Sequence, residues 1–317
     1  MYGFYRAIAP FYITDFAACV NLAKEADFLP EMEGASVKIL ICKGNGVTSR
    51  QDLPAKNRKI AFNLLSCLAL VLSAIPALPA HAQSRWNRIV LEGEGDAVFA
   101  TRLDARQPND PQQPATYGTQ FSLLPLTGKG PFGAYRITAT INFNSKHGLR
   151  LVYAPLEVKG TGVLSMPVRF AGENYAPGVP TQGVYRFNSP RIGYRYRLVD
   201  RQKWQLKIGA SLLIRDAKIQ LTQGPITSRD TDLGFVPLAA LDVRYSITPR
   251  WHIVFDGVGL AGGPGRAVDA AIKTNYDLTN HYWIGVGYRI LDGGADVKQV
   301  FTFARFHYAF ASIGVRF

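Results

Sequence analysis

From Gln83 onward the chain alternates: apolar and polar residues take turns over runs of about ten positions, each run ending in a turn. A period of two is the side-chain period of a β-strand, so each run presents one apolar and one polar face. The last run shows it most cleanly. Ala309, Ala311, Ile313, Val315 and Phe317 share one face, while Ser312, Gly314 and Arg316 share the other. Three more runs repeat the pattern. Trp204, Leu206, Ile208, Ala210, Leu212 and Ile214 alternate with Gln205, Lys207, Gly209, Ser211 and Arg215. Val268, Ala270 and Ile272 alternate with Asp269, Ala271 and Lys273, and Tyr282, Ile284, Val286, Tyr288 and Ile290 with Trp283, Gly285, Gly287 and Arg289.

Ten such runs are read, at roughly 88–102, 132–143, 149–159, 184–199, 204–221, 233–247, 251–260, 267–278, 282–291 and 300–317. Pro155, Pro190 and Pro237 fall inside runs and predict bulges or strand ends, because proline cannot donate to a ladder. The connections alternate in length. Tight turns are expected at 144–148, 200–203, 248–250 and 279–280, and longer loops near 103–131, 160–183, 223–232, 261–266 and 292–299. That asymmetry, with an apolar outer face, predicts an all-β, antiparallel up-and-down transmembrane barrel of about ten strands, with eight or twelve as alternatives. Trp204, Tyr245, Trp251, Tyr276 and Tyr282 lie near run ends, where interfacial girdles belong.

Only one long apolar run exists, Ile60–Leu78. It follows Lys56, Arg58 and Lys59 and precedes Pro79-Ala-His-Ala82. A basic stretch, an apolar core and small residues at a cut site form a secretory leader, here residues 56–82 with cleavage after Ala82. A transmembrane anchor fits less well, since Pro76 and Pro79 break the run; a lipoprotein reading on Cys67 puts the cysteine too early in it. The 55 residues before the leader show no periodicity and read as an upstream extension, with translation starting near Val47. Residues 83–317 then form the barrel, and its expected location is the outer membrane. All three cysteines (Cys19, Cys42, Cys67) precede the cut, which suits passage through an oxidising compartment.

The chain carries a net charge of +13. Eight of its 36 Lys/Arg and six of its 23 Asp/Glu precede residue 83, which leaves +11 for the barrel. Export argues against nucleic acid as the partner and for outer-membrane lipids, above all the anionic phosphates of lipopolysaccharide. The polar faces, turned inward, collect Glu92, Glu94, Asp96, Asp242, Asp256 and Asp269 with Arg136, Arg150, Arg191, Arg195, Lys207, Arg215, Arg244, Lys273 and Arg289. Buried charges need partners, so a salt-bridged lumen is expected; a path for a small anionic solute is the alternative. Ten strands leave little open bore.

Arg305 and His307 share the lipid-side face with Phe317. An arginine facing mid-bilayer lipid costs about 2–4 kcal/mol. Twelve residues at ~3.3 Å, tilted about 40°, climb roughly 30 Å, above an apolar band of ~25 Å. Both residues are therefore expected at a lipopolysaccharide-contacting rim, unless a bulge swaps the faces. Phe306, Tyr308 and Phe310 would point into the upper lumen, as packing or, alternatively, as a pocket for a hydrophobe. A surface hydrolase would have to use Asp230, Asp232 and His307, in outer loops or at the rim. His307 and Ser312 fall on opposite faces and cannot pair. The glycine-rich 262–265 precedes no helix and reads as a turn. No cofactor or metal spacing is present.

With the leader at 56–82 and the closing Phe306–Phe317 in hand, the chain resembles the small outer-membrane β-barrels of Gram-negative bacteria. It is also similar to uncharacterised proteobacterial barrels at Leu149–Pro155, Gly234–Pro237 and Tyr288–Ala295, a likeness spanning nearly all of 84–317. The resemblance implies insertion by the barrel-assembly machinery, which recognises a last strand ending in an aromatic residue, here Ile313, Val315 and Phe317. It implies no reaction.

Overall fold

The computed structural model describes residues 88–317. The expected extension 1–55, leader 56–82 and cut after Ala82 lie outside the described residues, with the three cysteines. Ten strands close a ring: β1 (Ile89–Arg106), β3 (Phe132–Asn142), β4 (His147–Tyr153), β9 (Arg191–Asp200), β10 (Trp204–Gln223), β11 (Ile226–Ser246), β12 (Trp251–Gly262), β13 (Gly265–Asp277), β14 (Tyr282–Asp296) and β15 (Phe301–Arg316). Every neighbouring pair is antiparallel, and β15 closes on β1 from Arg316 opposite Val90 to Phe301 opposite Arg106. Phe317 extends the seam, its N–H donating to Ile89 and its carbonyl accepting from Arg88. The all-β fold and the ten strands of the ring are as the alternation predicts.

The proline breaks fall where expected in two cases. Pro155 interrupts the run 149–159, leaving β4 and β5 (Glu157–Val163), and Pro190 separates β8 (Pro180–Asn188) from β9. Past Pro155 the chain leaves β3, since the β3–β4 ladder stops at Ile137 opposite Tyr153. Instead β5 pairs with β8, and β8 with the far half of β10. Pro237 lies inside β11, at a stretch where β12 has already let go; the β11–β12 ladder ends at Ala239 opposite Gly259. There the missing donor costs nothing on that edge.

Three of the expected long loops are strand instead. The β10–β11 ladder runs on to Gln223 opposite Ile226 around Gly224-Pro225, with Gly224 at φ +55°. The β12–β13 hairpin turns at Gly263-Pro264, and β14 and β15 are joined by residues 297–300 only. Asp230 and Asp232 therefore sit in a strand, not a loop. The two remaining long connections fold back onto the barrel. Residues 107–131 carry β2 (Phe121–Ser122) and the one-turn helix α1 (Leu124–Thr127); residues 164–179 carry the small hairpin β6 (Val168–Phe170) and β7 (Glu173–Tyr175).

These two insertions fill the end of the lumen away from Ile89 and Phe317, called the terminal end below. Leu123, Leu126, Phe170 and Tyr175 pack with the inward Val98, Phe306 and Tyr308, all nearly inaccessible. Phe121 meets Phe170 edge to face at 5.6 Å. The Tyr175 hydroxyl bonds Ser228 at 2.7 Å, and Ser228 donates to the Phe170 carbonyl at 2.9 Å, so the apolar plug keeps its polar groups satisfied. The upper lumen is packed, not an open apolar pocket. α1 can seat closely because β5 offers glycines: a Cβ at Gly162 would overlap the Pro125 carbonyl and meet Leu126 Cα at 3.0 Å.

The outer faces are apolar on every strand of the ring. Leu91, Ile137, Tyr153, Ile192, Leu212, Leu241, Ile253, Ile272, Val286 and Ile313, one from each strand, are all exposed. An exposed apolar belt this continuous is foreign to a soluble surface. Trp204 packs on Tyr245 (centroids 4.6 Å) and Trp251 on Tyr276 (4.9 Å) at the end carrying the tight turns, Ile89 and Phe317, forming an interfacial girdle. No described helix is long and apolar enough to cross a membrane. Because α1 depends on the missing Cβ, Gly162→Val is expected to dislodge it. Limited proteolysis within 107–131 should become markedly faster, while heat-dependent gel migration of the barrel is kept.

Candidate functional site: the charged lumen and its two rims

Strand parity sends a charged side chain inward from nearly every strand, and a ten-stranded bore is narrow enough for these to meet across it. Asp269 on β13 accepts from Arg136 on β3 (2.9 Å), Arg191 on β9 (2.5 Å) and Arg289 on β14 (2.7 Å). Glu94 on β1 receives Arg289 at 2.9 Å and Arg136 at 3.4 Å. Glu92 holds Lys273 at 2.5 Å. Closer to the terminal end, Arg150 on β4 reaches over the bore to Asp256 (2.5 Å) and Asp242 (3.2 Å), and Arg195 bonds the other Asp242 oxygen at 3.1 Å. β3 and β13 stand four places apart in a ring of ten, as do β4 and β12. The Arg136–Asp269, Arg191–Asp269 and Arg150–Asp256 bonds are therefore chords across the lumen, while Arg136–Glu94 and Arg289–Asp269 join neighbouring strands along its wall.

These groups are deeply buried: Glu94 is 5% exposed, Asp269 4% and Arg289 2%. Six cations face five carboxylates, with Asp96 just above as a sixth acid. No hydrogen bond reaches the buried Asp96 Oδ1, which borders a void of about 10 Å³, the size of one water. A second void of about 10 Å³ lies beside Arg191 and Arg289. Nothing wider continues through the layer at these places.

Eleven of the fifteen predicted lumen residues thus form two adjoining clusters, one of seven around Asp269 and Glu94 and one of four around Asp242 and Asp256. The other four stand apart. Asp96 has just been placed. Arg215 points inward higher up, bonded to Asp232 of the extended hairpin. Arg244 lies near the terminal end, 3.6 Å from Asp277. Lys207 has no hydrogen bond or ion pair among the described residues. Three further polar lumen residues, which join Arg244 in a separate cluster, were missed. Asp277 takes Arg316 at 2.6 Å and His252 at 3.1 Å, yet it shares parity with Asp269 and Lys273, and His252 with Asp256, so alternation carried the signal to the run ends.

At the plugged rim, Arg305 and His307 have partners within the barrel. β15 keeps strict alternation, with Ala304, Phe306 and Tyr308 buried, so Arg305 and His307 do face outward. The bulge lies on β1, between Ala100 and Arg102. His307 bonds Thr101 at 3.0 Å and the Tyr288 hydroxyl. Arg305 bonds Asp292, which also takes Arg266 at 2.6 Å. The Phe303 ring stacks between Arg102 (4.9 Å) and Arg266 (5.2 Å). Ile313, Val315 and Phe317 project outward at the opposite end, against β1 through the Ile313–Gly93 and Val315–Leu91 pairs.

A closed antiparallel ring with an apolar belt and a filled polar bore is a transmembrane β-barrel of the outer-membrane type. No protein-family model matches the chain, and no curated relative does. Among solved structures it is similar in fold to Ail, the attachment invasion locus protein of Yersinia pestis, at 9% identity over 73% of this chain and 100% of that one, TM-score 0.32. It is similar to the translocator domain of the autotransporter NalP from Neisseria meningitidis at 9% identity, over 83% and 98%, TM-score 0.37. The outer membrane protein AlkL aligns at 11% identity, over 76% and 96%, TM-score 0.34.

Breaking a buried ion pair by removing one partner costs about 3–5 kcal/mol. Asp269→Asn, which strips three arginines of one carboxylate, should lower the urea resistance of the folded barrel by that order. Asp216→Asn, on a half-exposed pair with Arg186, should cost no more than about 1 kcal/mol. Gel migration of unheated samples across a urea series reads both.

Proposed function

We infer that the protein is a closed outer-membrane barrel whose role is structural, or binding at its two ends, rather than permeation. The observation that carries this is the double block of the lumen: a layer of chord-like salt bridges, and beyond it an apolar plug built from residues 121–128 and 164–175. A channel for small anions would need both to part. In this reading the end with the tight turns and the closing seam faces the periplasm and the plugged end faces outward. Ile313, Val315 and Phe317 would serve the barrel-assembly machinery as the outward face of the closing strand.

The rim supports contact with the outer leaflet. Arg102, Arg266 and Arg305 gather around Phe303 on the outer face, against Asp104 and Asp292. One cation is in excess, and a planar fork is suited to phosphate. His307, held by Thr101 and Tyr288, contributes an edge to this surface. A hydrolase has little support: Asp232 is engaged by Arg215 and His307 by neutral hydroxyls, so no acid–histidine pair forms from Asp230, Asp232 and His307.

In planar bilayers the protein should give no steady ohmic openings; a stable conductance would overturn the closed-lumen reading. The rim is tested separately. Replacing Arg102, Arg266 and Arg305 with glutamine should lower co-purifying lipopolysaccharide several-fold without changing heat-dependent migration, and an unchanged amount would refute the rim contact.

A further inference from the structure

Below the salt-bridge layer, the lumen opens toward the terminal end as a vestibule of about 380 Å³. Its wall carries seven cationic side chains, from Arg150 inside to Arg316 at the mouth, against the four carboxylates Glu92, Asp200, Asp242 and Asp256. Counting Asp277, which lies behind Arg244 and Arg316, two positive charges remain in excess.

The excess has an address. Lys207 points inward from β10, directly across the ladder from Asp242. Asp242 bonds Arg150 through one oxygen and Arg195 through the other. Lys207, in the vestibule wall, makes no hydrogen bond among the described residues. Arg244 is held only loosely, since its carboxylate, Asp277, is shared with Arg316 and His252. Trp283 is 4% exposed and lines the same cavity, and its buried indole N–H has no acceptor among the described residues. The Arg316 guanidinium, stacked over that indole at 4.6 Å, keeps the ring in place. A free ammonium, an under-used guanidinium and a buried orphan donor thus converge on a space large enough for a small molecule. Unmade donors in a shielded site have the most to gain from an acceptor.

We propose that this vestibule is a binding site for a small multivalent anion of the phosphate or polycarboxylate class, entering from the periplasm. Lys207, Arg244 and the Trp283 N–H are its donors. The proposal rests on the periplasmic orientation and closed bore argued above, which make the vestibule a dead-end site rather than a stage in a channel. Lys207 supplies the uncompensated charge. Arg244 supplies a fork at the mouth that can turn from Asp277 to the ligand, and the indole fixes one oxygen.

The test uses the protein extracted from outer membranes in detergent, titrated calorimetrically with inorganic pyrophosphate and separately with citrate at low salt. One saturable site is expected for at least one of the two, with a change in tryptophan fluorescence that Trp283→Phe abolishes. Lys207→Gln should weaken binding about tenfold, the scale of one charge-assisted hydrogen bond, while Lys207→Arg retains most of it. Rim variants at Arg266 and Arg305 should leave the affinity unchanged. Heat-dependent migration shows that each variant is folded. Absence of saturable binding of both anions would overturn the proposal, as would binding indifferent to Lys207→Gln or lost with the rim. A conducting barrel would overturn only the closed-bore reading, since calorimetry reads the site whether or not ions pass.

Discussion

Everything in this structure follows from one requirement: in lipid, no backbone N–H or C=O can be left without a partner. A sheet meets it only by closing, so β15 must find β1, and the seam runs over nearly the full length of both strands to the last residue. Closure at ten strands then fixes a bore so narrow that side chains from opposite walls touch. Polar faces turned inward by parity become a crowded interior, and charges placed there have to neutralise one another. The salt-bridge layer is thus a consequence of ring size as much as of composition. A wider ring would have left the same residues in water.

The limit of the membrane shows where that requirement lapses. Above the belt, β11 gives up β12 at Ala239 and continues for thirteen residues paired on one side only, and β5 and β8 peel away from β3. Water can satisfy the free edges there. Even so, the lumen beneath stays dry, because the two insertions bring their own apolar side chains. Proline positions follow the same logic: Pro155 and Pro190 sit where one strand changes partners, and Pro237 where a partner is no longer present.

What was legible in the sequence was whatever depends on parity. The outward set Trp204 to Ile214, the inward set Asp269 and Lys273, and the orientation of Arg305 and His307 could be read because a β-strand assigns faces by counting. The contrast vanished where both faces are polar. In Ser228–Asp232 serine and aspartate point inward and arginine and threonine outward, so a regular strand resembled a loop. The plug was hidden differently. Leu123, Leu126 and Phe170 lie in segments rich in proline and glycine, and their burial depends on a lumen formed by strands far away in sequence. Partner choice was equally out of reach, since parity says that Arg150 points inward but only the register says that it meets Asp256.

The distribution of unpaired charge along the bore follows the access of water. Deep in the lumen, where desolvation is most costly, Asp269 and Glu94 have every cation they can use, and Arg289 is held by both. Asp96, the acid with an unmet buried oxygen, borders a void the size of a water molecule. Lys207, a lumen cation with no hydrogen bond or ion pair among the described residues, occurs where the lumen opens to solvent. An unpaired ammonium could not persist four residues deeper, at the level of Ser211, without a carboxylate or a shift to its neutral form. Its position in the vestibule leaves it free to meet an anion that arrives with its own charge to neutralise. The same rule that closes the centre of the barrel therefore leaves its vestibule end with charge to spare.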